Sequence, residues 1–241
     1  MKTLIVIITQ NKIDQRCLDA ANAQGCEVLT HVLAPINMHH ELDKNKHLNC
    51  VRNRNAARLE ALKTDAEAFL FIDRDIILPP GAANKFIASG HAVAGGWYKM
   101  HEGTNWVAAR EMQKGILYFY QSPEKSDTRI DMMGMGCCFM KRNVLEEISF
   151  DGRINEVMKI HTGQTFYPGE GYDFVQKAKK YNPVMIDMVC EHLPPTEKYC
   201  LIGITAFDAV LKYLTSRPAG ETYNIINQIL PYREKIYAAE D

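Results

Sequence analysis

Four apolar residues run directly into two carboxylates in Phe69-Leu70-Phe71-Ile72-Asp73-Arg74-Asp75, and no other stretch constrains the chain as much. A continuous apolar run suits a parallel strand covered on both faces. Burying an ionised aspartate without a partner is very costly, so Asp73 and Asp75 are expected where the strand leaves the sheet, at its C-terminal edge. Open α/β sheets bind their ligands at that edge. Residues two apart in an extended chain point the same way, roughly 6.5 Å apart. Asp73 and Asp75 can therefore face one site, with Arg74 turned elsewhere. One hard divalent cation bridged to a diphosphate suits such a pair. The plain alternative is a surface turn with two solvated acids.

The neighbouring segments alternate strand and helix. Leu4–Ile8 is apolar and mostly β-branched, as a buried strand should be. Ile13–Ala23 reads as a helix with Gly25 as its stop, Glu27–Leu33 as a second strand, and residues 36–49 as a polar loop. Val51–Lys63 reads as a helix whose inward stripe holds Val51, Asn55, Leu59 and Leu62, at spacings of four, four and three. Beyond residue 90 the strands His91–Gly96, Gly115–Tyr120 and Val184–Val189 are expected, with a Met- and Gly-rich segment at Met132–Met140. Helices are expected at Asn143–Ile148 and Tyr172–Tyr181. Residues 97–130 are otherwise read as a long irregular segment suited to ligand binding. The implied fold class is α/β, with a mixed, mainly parallel central sheet flanked by helices.

Composition narrows the function classes. Of the 241 residues, 46% are hydrophobic and 24% charged, which is ordinary globular usage. A formal net charge of −1 does not favour a nucleic-acid binder, which is usually basic. Seven cysteines, an odd number with no Cys-x-x-Cys pair, fit a reduced, cytoplasmic chain. No stretch approaches the roughly 20 apolar residues of a membrane-spanning helix, and the first apolar run is too short for a signal peptide.

Taken in order, five segments resemble the nucleotide-sugar glycosyltransferases of the GT-A fold. They are the Arg52-Asn53-Arg54-Asn55-Ala56-Ala57 helix, the Asp73-Arg74-Asp75 motif, Ala92–Tyr98, Met133–Arg142 and Gly169-Glu170-Gly171-Tyr172-Asp173-Phe174, with Glu191-His192 some twenty residues later. The resemblance spans roughly residues 1–195. It implies a GT-A (Rossmann-like) domain over 1–200, with a nucleotide-binding half at 1–90 and an acceptor half at 91–200. A C-terminal helical extension, 201–241, is expected to pack on it. The implied donor is a nucleoside diphosphate sugar, UDP- or GDP-linked, and the implied cofactor is Mn²⁺ or Mg²⁺.

Residue by residue, the resemblance assigns Asp75 as the direct metal ligand, Asp73 to the ribose or the metal, and His192 to the same metal. A core or capping role for His192 is the alternative. Thr9, Gln10, Arg54 and Asn55 are expected on the donor, with Arg58 able to replace Arg54. Gly134 and Gly136 would let backbone approach the sugar. Trp97 and Tyr98 would stack on the acceptor or fill the core. The family's usual base position is Gly171 here, so Glu170 or Asp173 must serve, with Glu170 ahead and the stereochemistry open. Two other function classes stay in view: a catalytically inactive sugar-nucleotide-binding relative, supported by Gly171, and a nucleotidyltransferase. The latter usually has a glycine in the loop after its first strand, and Thr9-Gln10-Asn11-Lys12 has none. Haloacid-dehalogenase-like phosphatases also carry Asp-x-Asp, but near the N-terminus, and with Thr or Val where this chain has Ile77.

Overall fold

The apolar runs form strands and the segments between them form the covering helices. The structure is a computed structural model and describes residues 1–9, 13–32, 42–100, 105–151, 158–160, 163, 165–166 and 169–193. In chain order the elements are β1 (Thr3–Thr9), α1 (Gln15–Asn22), β2 (Glu27–Val32), α2 (Leu42–Leu62), β3 (Ala68–Asp73), β4 (Ile76–Ile77), α3 (Ala82–Ser89) and β5 (Val93–Trp97). They continue with β6 (Ala108–Gln113), β7 (Ile116–Phe119), β8 (Thr128–Arg129), β9 (Met132–Met133), β10 (Cys137–Lys141) and α4 (Arg142–Glu147). The last are β11 (Met158–Ile160), β12 (Thr165–Phe166), α5 (Glu170–Lys177), β13 (Val184–Val189) and β14 (Glu191–His192). All of them belong to one compact unit, Met1–Leu193; the expected extension 201–241 lies outside the described residues.

Among the described residues a seven-stranded sheet runs β2-β1-β3-β10-β5-β13-β8. Strands β2, β1, β3, β5 and β13 share one direction, and β10 and β8 oppose it. This is the mixed, mainly parallel sheet read from the sequence. Ile8 pairs with Asp73, so β1 and β3 end at the same edge. A five-stranded sheet, β12-β11-β7-β6-β9, lies beside it, and β14 pairs with β4 in a short two-stranded ladder. No helix among the described residues is long and apolar enough to cross a membrane.

Three expectations are corrected. Residues 42–49, read as loop, begin α2, and the inward face of that helix is Asn53, Arg54, Ala57 and Ala61, while Leu59 is 57% exposed. Small alanines let the helix lie close against the sheet, so its buried face carries little bulk and the apolar spacing misplaced it. The helix end is held from outside: the Arg142 guanidinium donates to the carbonyls of Leu62, Thr64 and Ala66. Residues 97–130 contain the hairpin β6–β7 rather than only irregular chain.

The described cysteines are free thiols. Cys137 and Cys190 have their sulfurs 3.6 Å apart, but Cys137 opens β10 and Cys190 follows β13, strands on either side of β5. Two strand spacings, about 9.6 Å, exceed what a disulfide spans.

Trp97 takes the core alternative. It has no exposed surface and packs edge-on against Trp106 and Tyr120, with ring centroids 6.5 and 5.3 Å away. No ligand can stack on it. Its indole N–H has no hydrogen-bond partner among the described residues, so its contribution is packing. Trp97→Ala should therefore cost about 3–5 kcal/mol in urea unfolding, and Trp97→Phe much less. A Trp97→Ala protein as stable as the parent would contradict this placement.

Candidate active site

Asp73 and Asp75 emerge where β3 ends, as the apolar run requires. The chain then turns through Arg74 and Asp75 into β4, and β4 is zipped to β14: Ile76 pairs with His192 and Ile77 with Glu191. The N–H of Leu193 also donates to the carbonyl of Asp75, at 2.9 Å. This ladder brings together residues 117 positions apart in sequence, placing His192 Nε2 3.7 Å from Asp75 Oδ1. His192 Nδ1 lies 2.6 Å from the carbonyl oxygen of Lys99. A carbonyl only accepts, so Nδ1 carries the proton and donates. Burial lowers the imidazole pKa, but the Asp75 carboxylate and the Lys99 carbonyl outweigh it, and the net shift is upward.

Behind the acids sits Arg54, its side chain only 5% exposed. Its Nη2 donates to Asp73 Oδ1 at 2.8 Å, its Nη1 to the Met135 carbonyl at 3.1 Å, and its Nε to Glu170 Oε1 at 3.2 Å. Burial raises the Asp73 carboxyl pKa; Arg54 opposes that and Asp75 adds to it, leaving it above the ordinary value. The N–H of Asp73 donates to the Gly136 carbonyl at 3.0 Å, and the N–H of Gly136 donates to the Tyr98 hydroxyl at 2.8 Å. A Cβ at Gly136 would stand 2.7 Å from that hydroxyl and 3.0 Å from Asp73 Oδ2. Glycine is needed here because Tyr98 and Asp73 occupy the space a Cβ would fill. Tyr98 is buried and edges onto the His192 ring at 5.1 Å, so it lies under the site instead of offering a face to an acceptor. Burial and the Asp73 charge hold its phenol well above the usual pKa.

The remaining candidates divide. Thr9 closes β1 at the same edge, buried beside Asp73, whereas Gln10 lies outside the described residues. Arg54 is enclosed by protein partners. Arg58 caps α4 through the carbonyls of Leu145 and Glu146. Asn55 is engaged with main chain: its amide donates to the Phe150 carbonyl at 2.7 Å and accepts from the Phe150 N–H at 3.0 Å. Phe150 is thereby fixed between Phe71 of β3 and Phe174 of α5, with centroids 5.8 and 5.2 Å away.

Helix α5 presents Glu170 and Asp173 in its first turn, where the helix dipole favours carboxylates. Glu170 reaches Arg54. Asp173 is 2% exposed and pairs with Lys177 Nζ at 2.7 Å. Gly171 has a packing reason: a Cβ there would meet the Met133 carbonyl oxygen at 1.9 Å. Sequence reasoning missed the carbonyls of Lys99 and Met135, because a backbone oxygen leaves no mark in residue identity.

Among the described residues no three His, Cys, Asp or Glu side chains converge to hold a metal ion. Asp73, Asp75 and His192 are thus not a ready three-ligand set. The Asp75–His192 pair does suit one cation: its Nε2···Oδ1 separation is near that of adjacent ligands, and the Nδ1 proton is committed to a carbonyl, as ligating histidines usually have it.

Against solved structures, the chain matches A197 from STIV with a TM-score of 0.57, at 18% identity over 81% of this chain and 87% of that one. The fold is GT-A-like. S. aureus TarS 1–349 is more distant, with a TM-score of 0.47, 15% identity, and coverage of 85% of this chain and 65% of that one. A glycosyltransferase involved in the glycosylation of the major capsid of PBCV-1 gives 0.41, at 13% identity over 80% and 93%. No family model matches the chain, and no curated protein matches its sequence.

Asn55→Ala should cost about 2 kcal/mol of stability, since it strands the N–H and carbonyl of buried Phe150, while nucleotide binding per folded molecule stays unchanged. Loss of nucleotide affinity without loss of stability would return Asn55 to the donor site.

Proposed function

We propose that this protein transfers a sugar from a nucleoside diphosphate sugar, UDP- or GDP-linked, to an acceptor hydroxyl, with Mn²⁺ or Mg²⁺ at Asp75 and His192. The observation that carries this reading is the β4–β14 ladder, which sets an imidazole against the second acid of Asp-x-Asp at a sheet edge built for ligands. In the reaction the bond from the anomeric carbon to the diphosphate breaks, and the diphosphate leaves with the electron pair. A divalent cation held there supplies positive charge to the departing oxygens. Imidazole beside carboxylate favours Mn²⁺ over an all-oxygen ion.

The chain's own groups do the rest. Thr9 and Asp73, at one edge of the sheet, are assigned to the nucleoside. Glu170 is assigned as the base that takes the acceptor hydroxyl proton. Its Oε1 accepts from Arg54, and its Oε2 accepts no hydrogen bond among the described residues. Asp173, buried against Lys177, is the poorer base, and Gly171 cannot serve.

A thermal-shift panel of UDP-, GDP- and CDP-sugars with and without Mn²⁺ tests the donor. A ligand at a hundredfold excess over its dissociation constant adds about 2.7 kcal/mol. One donor should stabilise the protein only with metal, and Asp75→Asn should lose that stabilisation while staying folded; wild-type Mn²⁺ dependence in Asp75→Asn would refute the metal assignment. In the same assay Glu170→Gln should keep the donor-induced shift but lose transfer by at least roughly 10²-fold, the low end for a general base. A fully active Glu170→Gln would remove Glu170 from the chemistry.

A further inference from the structure

We infer that Arg54 is a positioning residue that fixes Glu170 relative to Asp73, so that one buried guanidinium aligns the proton-accepting carboxylate with the donor-side carboxylate. This rests on the reading of Glu170 and Asp73 given above. Four separate segments meet at this side chain: α2 supplies it, β3 ends in Asp73, the turn between β9 and β10 offers the Met135 carbonyl, and α5 begins with Glu170. Each partner takes a different nitrogen of the planar fork. The fork therefore sets an angle between the two carboxylates as well as two distances, which a lysine ammonium cannot do.

Glu170 has particular need of such a hold. It stands between Gly169 and Gly171, at the first residue of α5, where the flanking backbone is the least restricted of any sequence. Gly171 is imposed by the Met133 carbonyl, so helix packing leaves the carboxylate to be anchored through its own side chain. Arg54 supplies that anchor on Oε1 and leaves Oε2 for the acceptor. With its guanidinium enclosed and three of its nitrogens engaged, Arg54 acts through these two carboxylates rather than on the substrate.

The test combines kinetics with a stability cycle. Arg54→Lys keeps the charge and loses the fork. Its kcat for transfer should fall by at least roughly 10²-fold, the general-base contribution, with a much smaller change in donor KM. Arg54→Lys in the Glu170→Gln background should cause no further loss of kcat, because the two act as a unit. Guanidinium at millimolar concentration should restore turnover to Arg54→Ala, and equal ammonium should not; this arm decides if Arg54→Lys folds poorly. Independently of any activity, urea unfolding of the parent, Arg54→Lys, Glu170→Gln and the double variant should be non-additive by roughly tenfold in the unfolding constant. Additive unfolding, or wild-type kcat in Arg54→Lys, overturns the inference. Coupled unfolding in a protein that transfers from no nucleotide sugar supports the Arg54–Glu170 link and overturns the transfer reading instead.

Discussion

The ion pair between Arg54 and Asp73 answers a conflict that β3 creates. Phe69, Leu70, Phe71 and Ile72 have no exposed surface, and the next residue is an acid. The hydrophobic run fixes where the strand must lie, and the carboxylate at its end must then find compensation at the edge of a low-dielectric core. Arg54 provides it from α2, and the cost of burying Arg54 is offset in turn by Glu170 and the Met135 carbonyl. Much of the local architecture follows. Ala57 and Ala61 bring α2 close to the sheet, and Gly136 admits the Tyr98 hydroxyl beside Asp73. Breaking one member of such a set leaves a buried charge without its partner, which is far worse than never having built it.

Asp75 meets a different solution. It stands past the strand end, and its imidazole partner arrives through backbone pairing. Two residues of β4 bind two residues of β14, and His192 comes with them. At the Ile76–His192 end this short ladder is reinforced: Leu193 donates to the Asp75 carbonyl, and His192 itself donates to the Lys99 carbonyl. The imidazole is oriented by its hydrogen bond to the Lys99 carbonyl and carried to Asp75 by the ladder. The acid site is divided between an internal cation for Asp73 and an imidazole-lined, partly open position at Asp75.

The sheet and its ligand edge were legible in the sequence because continuous apolar runs followed by charge have few solutions. Strand β13 also matches its expected limits, Val184–Val189. The inward face of α2 was not legible: Leu59 fits a helical stripe by spacing, yet it points outward, since close packing on the sheet selects alanine over leucine. Asn55 bonds to the Phe150 backbone and Trp97 packs in the core, contacts the sequence could not single out, because a polar or aromatic residue near a motif has the same letter whether it meets a ligand or a buried backbone. His192 was reachable only through family resemblance, as pairing across 117 residues leaves no local pattern. Arg54 was singled out, but its partners were not, because 116 residues separate it from Glu170.

The proposed transfer requires one cation shared by His192 and Asp75 at the ladder that joins β4 and β14. Electron spin-echo envelope modulation of Mn²⁺ bound together with UDP reads that directly. The parent protein should show nitrogen-14 modulation from a coordinated imidazole, and His192→Gln should lose it while still binding nucleotide. A parent spectrum without that modulation, or one unchanged in His192→Gln, would contradict the account.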